Sequence, residues 1–198
     1  MMNRRSILER WQLSADELTG IIDQNPSLRG FLLGYVGEYK LQQVFHAHSE
    51  ITSVVKPDDH SRAQGEKSDL IVTYRGRPFS VEVKSLQTNS IHRISHDNFL
   101  GKVQVDASDK RPIRMQDGSL LETTCLLRGE FDLLAVSLFQ FRERWEYAFA
   151  LNRDLPSSRS SKYTPTQRSQ LLATSIEISL PLRPPFASDP LELLALLS

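Results

Sequence analysis

The chain has 198 residues, 39% of them hydrophobic and 24% charged, which excludes a wholly disordered chain and suits one compact domain with a sizeable core. Lys plus Arg and Asp plus Glu are equal at 24 each, so total charge selects no partner, although a local basic groove would still hold phosphates. A single cysteine, Cys125 in an apolar stretch, excludes an intramolecular disulfide and an all-cysteine metal site, and reads as a packing residue.

The basic start Asn3-Arg4-Arg5 leads into no apolar run, and no apolar stretch is long enough to cross a bilayer. The expectation is a cytoplasmic protein with no membrane partner. From Arg5 to Ile22 the spacing of Ile7, Leu8, Trp11, Leu13, Leu18, Ile21 and Ile22 predicts one or two short amphipathic helices. Ser14 with Glu17 three residues on has the form of a capping box. Asn25-Pro26-Ser27 interrupts, and a longer helix follows from Leu28 to His46, with Leu32, Leu33, Val36, Leu41, Val44 and Phe45 as its buried stripe.

Ile51 to Val55 reads as a strand and Lys56 to Ser68 as a loop. Leu70 to Tyr74 and Phe79 to Val83 read as an antiparallel hairpin joined by Arg75-Gly76-Arg77-Pro78. Beyond Leu86 the pattern is mixed: Val103 and Val105 alternate with polar residues, and Ala107 to Lys110 has the look of a short helix. Strands follow at Leu120 to Leu127, Phe131 to Phe139, Trp145 to Leu151 and Ser175 to Leu180, the second apolar enough to be central. A final helix spans Pro190 to Leu197. The order predicts an α/β (α+β) layer protein around a central mixed sheet. A single domain is expected, with a helical appendage over 1–27, a core over 28–151 and an extension over 152–198.

Asp69 stands at the mouth of the first hairpin strand, and Glu82 and Lys84 stand two apart near the end of the second. Residues two apart on a strand share a face. Folding the hairpin about Gly76 and Arg77 places Asp69 opposite Lys84, so all three project together. Val81 and Val83 point the other way and anchor the strand. Two carboxylates and an ammonium gathered in this way form the layout a Mg²⁺ site needs, since hard oxygen donors hold that cation.

Gly65-Glu66-Lys67-Ser68-Asp69, leading through an apolar strand and turn into Val81-Glu82-Val83-Lys84, resembles the PD-(D/E)XK nuclease superfamily. The resemblance covers mainly Leu28 to Ser85, with later strands fitting an αβββαβ restriction-endonuclease-like core. It departs from the pattern at Ser68, which stands in place of proline, and in the absence of an obvious crossover helix between Leu86 and Arg128. It implies a nuclease that hydrolyses phosphodiester bonds in DNA, leaving RNA open, with Mg²⁺ as cofactor and Mn²⁺ able to substitute. Asp69 and Glu82, with the Val83 carbonyl, would ligate the metal, and Lys84 would position water and offset charge. Glu38, in Gly34-Tyr35-Val36-Gly37-Glu38, takes the place of a helix glutamate aimed at the metal, and the two glycines suggest close helix–sheet packing. Gln104, sharing a face with Lys102 and Asp106, matches a residue that holds phosphate or water.

Plainer readings stand beside these. A salt-bridged surface hairpin accounts for Asp69, Glu82 and Lys84, a solvated helix face for Glu38, and an edge strand for Gln104. Pro57-Asp58-Asp59 spells the motif literally, but no strand follows it directly, and Asp69 is preferred. Ser108, Lys110, Arg111 and Arg114 are either phosphate contacts or a polar turn. Arg153, Arg159, Lys162, Arg168 and Arg183, with Tyr163 among them, are either a backbone-binding surface or a solvated loop. The helical opening with Arg4, Arg5 and Arg10 would serve as a DNA clamp or a homodimer face. The alternative to an enzyme is the same fold kept as a binding module for nucleic acid or protein.

Overall fold

The computed structural model describes residues 5–57 and 68–198. Asp58, Asp59 and His60 lie outside the described residues, as do Gly65, Glu66 and Lys67 ahead of Asp69, and Arg4. The chain divides into two compact units, Met1–Val36 and Gly37–Ser198.

The first unit is helical. Helices α1 (Ile7–Trp11) and α2 (Ala15–Gln24) each begin with a complete capping box, Ser6 with Glu9 and Ser14 with Glu17. Each serine accepts the backbone N–H of its glutamate while that glutamate accepts the serine N–H, which satisfies two orphan donors at once. Helix α3 (Pro26–His46) opens on proline, whose fixed φ suits a first helical position and which has no N–H to leave unpaired. The predicted stripe on α3 is buried only in its later half, at Leu41 and Phe45, while Leu32 and Val36 are exposed.

The second unit is built on a five-stranded sheet in the order β1-β2-β3-β8-β9, formed by β1 (Ile51–Val55), β2 (Leu70–Tyr74), β3 (Arg77–Ser85), β8 (Leu133–Ser137) and β9 (Tyr147–Leu151). All neighbours are antiparallel except β3 and β8, which run parallel. This is the α+β class around a central mixed sheet that the sequence predicts. β8 is buried at every residue, as a central strand covered on both faces must be.

Each face of the sheet carries its own core. On one, Leu41 and Phe45 of α3 and Leu194 of the C-terminal helix (Pro190–Ala195) pack with Leu70, Val72, Val81, Leu133, Ala135 and Phe149. On the other, Leu134, Val136, Ala148 and Ala150 pack with Phe99, Val103, Val105, Ile176 and Ile178. Apart from Val105, which directly follows β5, the second set comes from a three-stranded sheet of β4 (His92–Arg93), β5 (Phe99–Gln104) and β10 (Ser175–Leu180).

The sequence reading needs correction at three points. The hairpin turn has two residues, Arg75 and Gly76, both with positive φ (47° and 81°), rather than four. That geometry matches the right-handed twist of the flanking strands and lets β3 begin at Arg77. Ala107 to Lys110 is not helical but part of β6 (Asp106–Arg114), which pairs with β7 (Leu120–Cys125). These four residues lie between the paired positions Asp106 and Arg111, so the ladder on either side holds them extended. Third, the connection from β3 to the parallel strand β8 carries no α-helix among the described residues. A 3-10 turn and the strands β4 to β7 make the crossover instead.

Candidate active site

The register of β2 against β3 decides which side chains meet. Leu70 pairs with Val81 and Tyr74 with Arg77, and continuing one residue sets Asp69 level with Glu82, not with Lys84. The two-residue turn moves the hairpin's centre by one position from the predicted one. The common face survives the shift, because Glu82 and Lys84 are two apart on β3 and Asp69 now falls beside the first of them. Asp69 is tied to the neighbouring strand: its Oδ2 accepts the Val83 backbone N–H at 2.8 Å.

Strand β3 is pinned at its own start. The Ser80 N–H and hydroxyl both donate to Asp132 Oδ2, at 2.7 and 2.8 Å, and the Asp132 N–H donates back to the Ser80 hydroxyl at 3.0 Å. Glu82 then pairs with Leu134 and Lys84 with Val136 across the parallel ladder. Val81 and Val83 belong to the opposite core, as the alternation predicts.

Asp69, Glu82 and Lys84 line one open cavity of ≈ 320 Å³ with Ala107, Ser108, Arg111, Leu126 and Glu130. Ala107 and Ser108 reach it through an irregularity in the β6–β7 ladder, where pairing jumps from Asp106↔Cys125 to Arg111↔Thr123. Extra residues on one strand are a common way to re-aim side chains at the edge of a site. Arg111 forms a two-pronged ion pair with Glu130, whose Oε2 also accepts the Leu127 N–H at 2.8 Å. The turn carrying Glu130 is held by Asn152, which accepts from the Gly129 N–H at 2.6 Å and donates to the Leu127 carbonyl at 3.2 Å. Glu130 gives no signal in the sequence, since it reaches the site only when the β6–β7 hairpin folds back.

The electrostatics follow from burial. Glu82 is 8% exposed, and desolvation first, then the nearby Asp69 charge, push its pKa up to about 7 against the pull of Lys84. The Lys84 ammonium lies 2.8 Å from Glu82 Oε1. Burial works against that ammonium, but Glu82, Asp69 and Asp106 outweigh it and hold its pKa above the ordinary lysine value. Three carboxylates therefore share the cavity with two cations. Among the described residues no three His, Cys, Asp or Glu side chains gather as a self-sufficient metal cage. Asp69 and Glu82 side by side nonetheless offer hard oxygen donors whose mutual repulsion a divalent cation would relieve.

The other predicted residues fall elsewhere. Glu38 is ion-paired with Lys56 at 2.5 Å and does not line the cavity. Close packing of α3 is met at Gly37, where an added Cβ would lie 3.7 Å from the Trp145 ring, but not at Gly34, where it would meet nothing within 4 Å. Gln104 and Lys102 are exposed on β5 while Val103 and Val105 are buried, as alternation predicts. Gln104 accepts from Gln87 and donates to Asp106, outside the cavity lining. Tyr163 is a packing residue, its hydroxyl 2.7 Å from Thr123 Oγ1 beside the buried Cys125. Arg153, Arg159, Lys162 and Arg183 are exposed.

No protein-family model matches the chain, and no curated protein matches it. Among solved structures it is similar to a bacterial homing endonuclease, with 13% identity over 71% of this chain and 86% of that one, at a TM-score of 0.37. That similarity is too low to carry fold or activity across. No helix among the described residues is long and apolar enough to cross a membrane.

Proposed function

We propose that the protein is a divalent-metal-dependent nuclease of the PD-(D/E)XK kind that hydrolyses phosphodiester bonds in DNA. The observation that carries this reading is Glu82, a carboxylate almost wholly removed from water yet set beside a second carboxylate, Asp69, and an ammonium, Lys84, in an open cavity. Burying a carboxylate next to another is costly for the fold, and such costs concentrate where chemistry uses the group.

In this reading Asp69, Glu82 and the Val83 carbonyl hold Mg²⁺, or Mn²⁺ in its place. The ion would supply Lewis-acid polarisation of the phosphate and acidify a water. The chain's own groups do the rest. The Val83 N–H fixes the Asp69 carboxylate, so the donor set is oriented before substrate arrives. Lys84, protonated across the physiological range, places positive charge where the phosphorane gathers negative charge, and it orients the attacking water. Ser108 presents a hydroxyl along the same wall for a non-bridging phosphate oxygen, while Arg111, held by Glu130, adds positive charge behind it.

The test is cleavage of plasmid DNA in Mg²⁺, Mn²⁺ or EDTA, beside Glu82→Ala. Metal-dependent nicking that the variant loses supports the reading. Cleavage that persists in EDTA or in the variant overturns it, and metal-independent DNA binding without cleavage would favour a binding module on the same fold.

A further inference from the structure

The Met1–Val36 unit carries an apolar surface that its own helices leave open. Neither α1 nor α2 buries a residue, and no position from Arg5 to Val36 is buried. A cleft of ≈ 740 Å³ opens among the three helices, lined by Ile7 and Trp11 from α1, Leu18 and Ile22 from α2, and Leu28 and Leu32 from α3; Arg29 is its one charged lining residue among those described. Beside it Phe31 is 71% exposed and Trp11 is 59% exposed. At ~100° per residue, Phe31, Leu28, Leu32, Val36 and Leu33 sweep an arc of roughly 200° around α3, about twice the stripe that a surface helix needs to dock on one core.

We propose that this surface is the interface of a homodimer, in which the N-terminal helices of two copies cover each other about a twofold axis. The area is right for that occupant. Trp11, Phe31, Ile7, Ile21 and Leu28 are each 38% exposed or more, and large side chains in this number can supply the ~800 Å² that each partner contributes to a stable interface. The charge is right as well. From Arg5 to Val36 three arginines stand against four carboxylates, so two copies can meet without like-charge repulsion. A surface for nucleic acid or anionic lipid would carry an excess of Lys and Arg, which this unit lacks. A twofold contact also closes on itself, so the apolar face is consumed rather than passed on to a filament.

The experiment is sedimentation or light scattering of the full chain across a micromolar concentration series, with Phe31→Glu and Trp11→Ala beside it. The expected result is twice the chain mass for the wild type. Phe31→Glu should raise the dimer dissociation constant at least ~100-fold, the effect of placing a charge on a buried aromatic anchor. In a monomer the same change would replace a solvated hydrophobe with a solvated charge and leave the circular dichroism and melting temperature unmoved. A wild type that stays monomeric throughout the series overturns the proposal, because the cover would then come from the chain itself or another partner. So does a dimer that neither variant weakens. If Phe31→Glu fails to fold, the wild-type series and Trp11→Ala still decide.

Discussion

Lys84 Nζ lies 2.8 Å from a carboxylate oxygen of Glu82, two residues earlier on the same strand, with both side chains turned to the face that Val81 and Val83 avoid. Glu82 is buried and Lys84 half-buried, and Asp69 sits beside them just ahead of the adjoining strand with one oxygen on the Val83 N–H. An ion pair so placed contributes little net stability, because desolvation offsets most of the attraction. Its value is in holding an ammonium against a carboxylate within reach of a ligand.

Each of the three groups is expected to matter to turnover, and removing one partner of the pair also lowers stability, so folding is checked beside activity. Lys84→Ala should lower kcat by about 10²–10³-fold, the usual cost of losing one preorganised electrostatic contact. Asp69→Ala and Glu82→Ala should bring cleavage to background. Single-turnover cleavage, with circular dichroism as the check on folding, measures this. Near-native turnover in any one of them removes that residue from the site.

Metal-free stability should carry the signature of Glu82. Its folded pKa of about 7 exceeds the ordinary value of 4.5, so between those limits the folded protein holds a proton that the unfolded chain releases. Stability from this group is thus fully present below about 4.5 and falls as pH rises through about 7, by about 3 kcal/mol for a shift of that size. Glu82→Gln cannot lose the proton and should remove the slope. Urea unfolding in EDTA at several pH values, wild type against Glu82→Gln, reads the difference. Equal slopes would show that Glu82 is not held in its neutral form.

The Arg111–Glu130 pair makes a separate prediction. Both side chains are largely buried, so Arg111→Met leaves an uncompensated carboxylate and should cost about 3–5 kcal/mol. Adding Glu130→Met should recover most of that loss, although the Leu127 N–H loses its acceptor. Denaturant midpoints of the single and double variants give the answer. A double variant no better than the single would mean that the fork is not what holds the turn.

Two glycines should respond in opposite ways to alanine. At Gly37 a methyl group would make ordinary contact, 3.7 Å from Trp145 and 4.0 Å from Ser137, so Gly37→Ala should stabilise α3 by about 0.5–1 kcal/mol. At Gly101 it would meet Ile91 and Phe141 at 3.0 Å, with Phe141 held by stacking on Phe99. Gly101→Ala should then destabilise by about 1–3 kcal/mol. Thermal melts distinguish the two, and a stabilised Gly101→Ala would mean that Phe141 yields.

What the sequence settles by itself is local. A β-branched run identifies β1, apolar runs on either side of a glycine turn identify β2 and β3, and the period of two places Glu82 and Lys84 on one face, because side chains on a strand must alternate. Ser14 with Glu17 marks the start of α2, since that hydrogen-bonding pattern closes within four residues. The apolar run from Leu133 to Val136 marks a central strand for a similar reason, as only a strand covered on both faces loses its alternation.

Tertiary structure decides what depends on register and long-range closure. The one-residue difference in the hairpin's centre moves Asp69 from Lys84 to Glu82, and no side-chain pattern reveals it, because a turn's φ angles set it. Arg111 and Glu130, 19 residues apart, meet only when β6 and β7 fold into a hairpin over the end of β3. Glu38 meets Lys56 only once α3 lies along the end of β1. Where a long side chain finds its partner is fixed by packing between elements, and sequence spacing along one element holds no record of it.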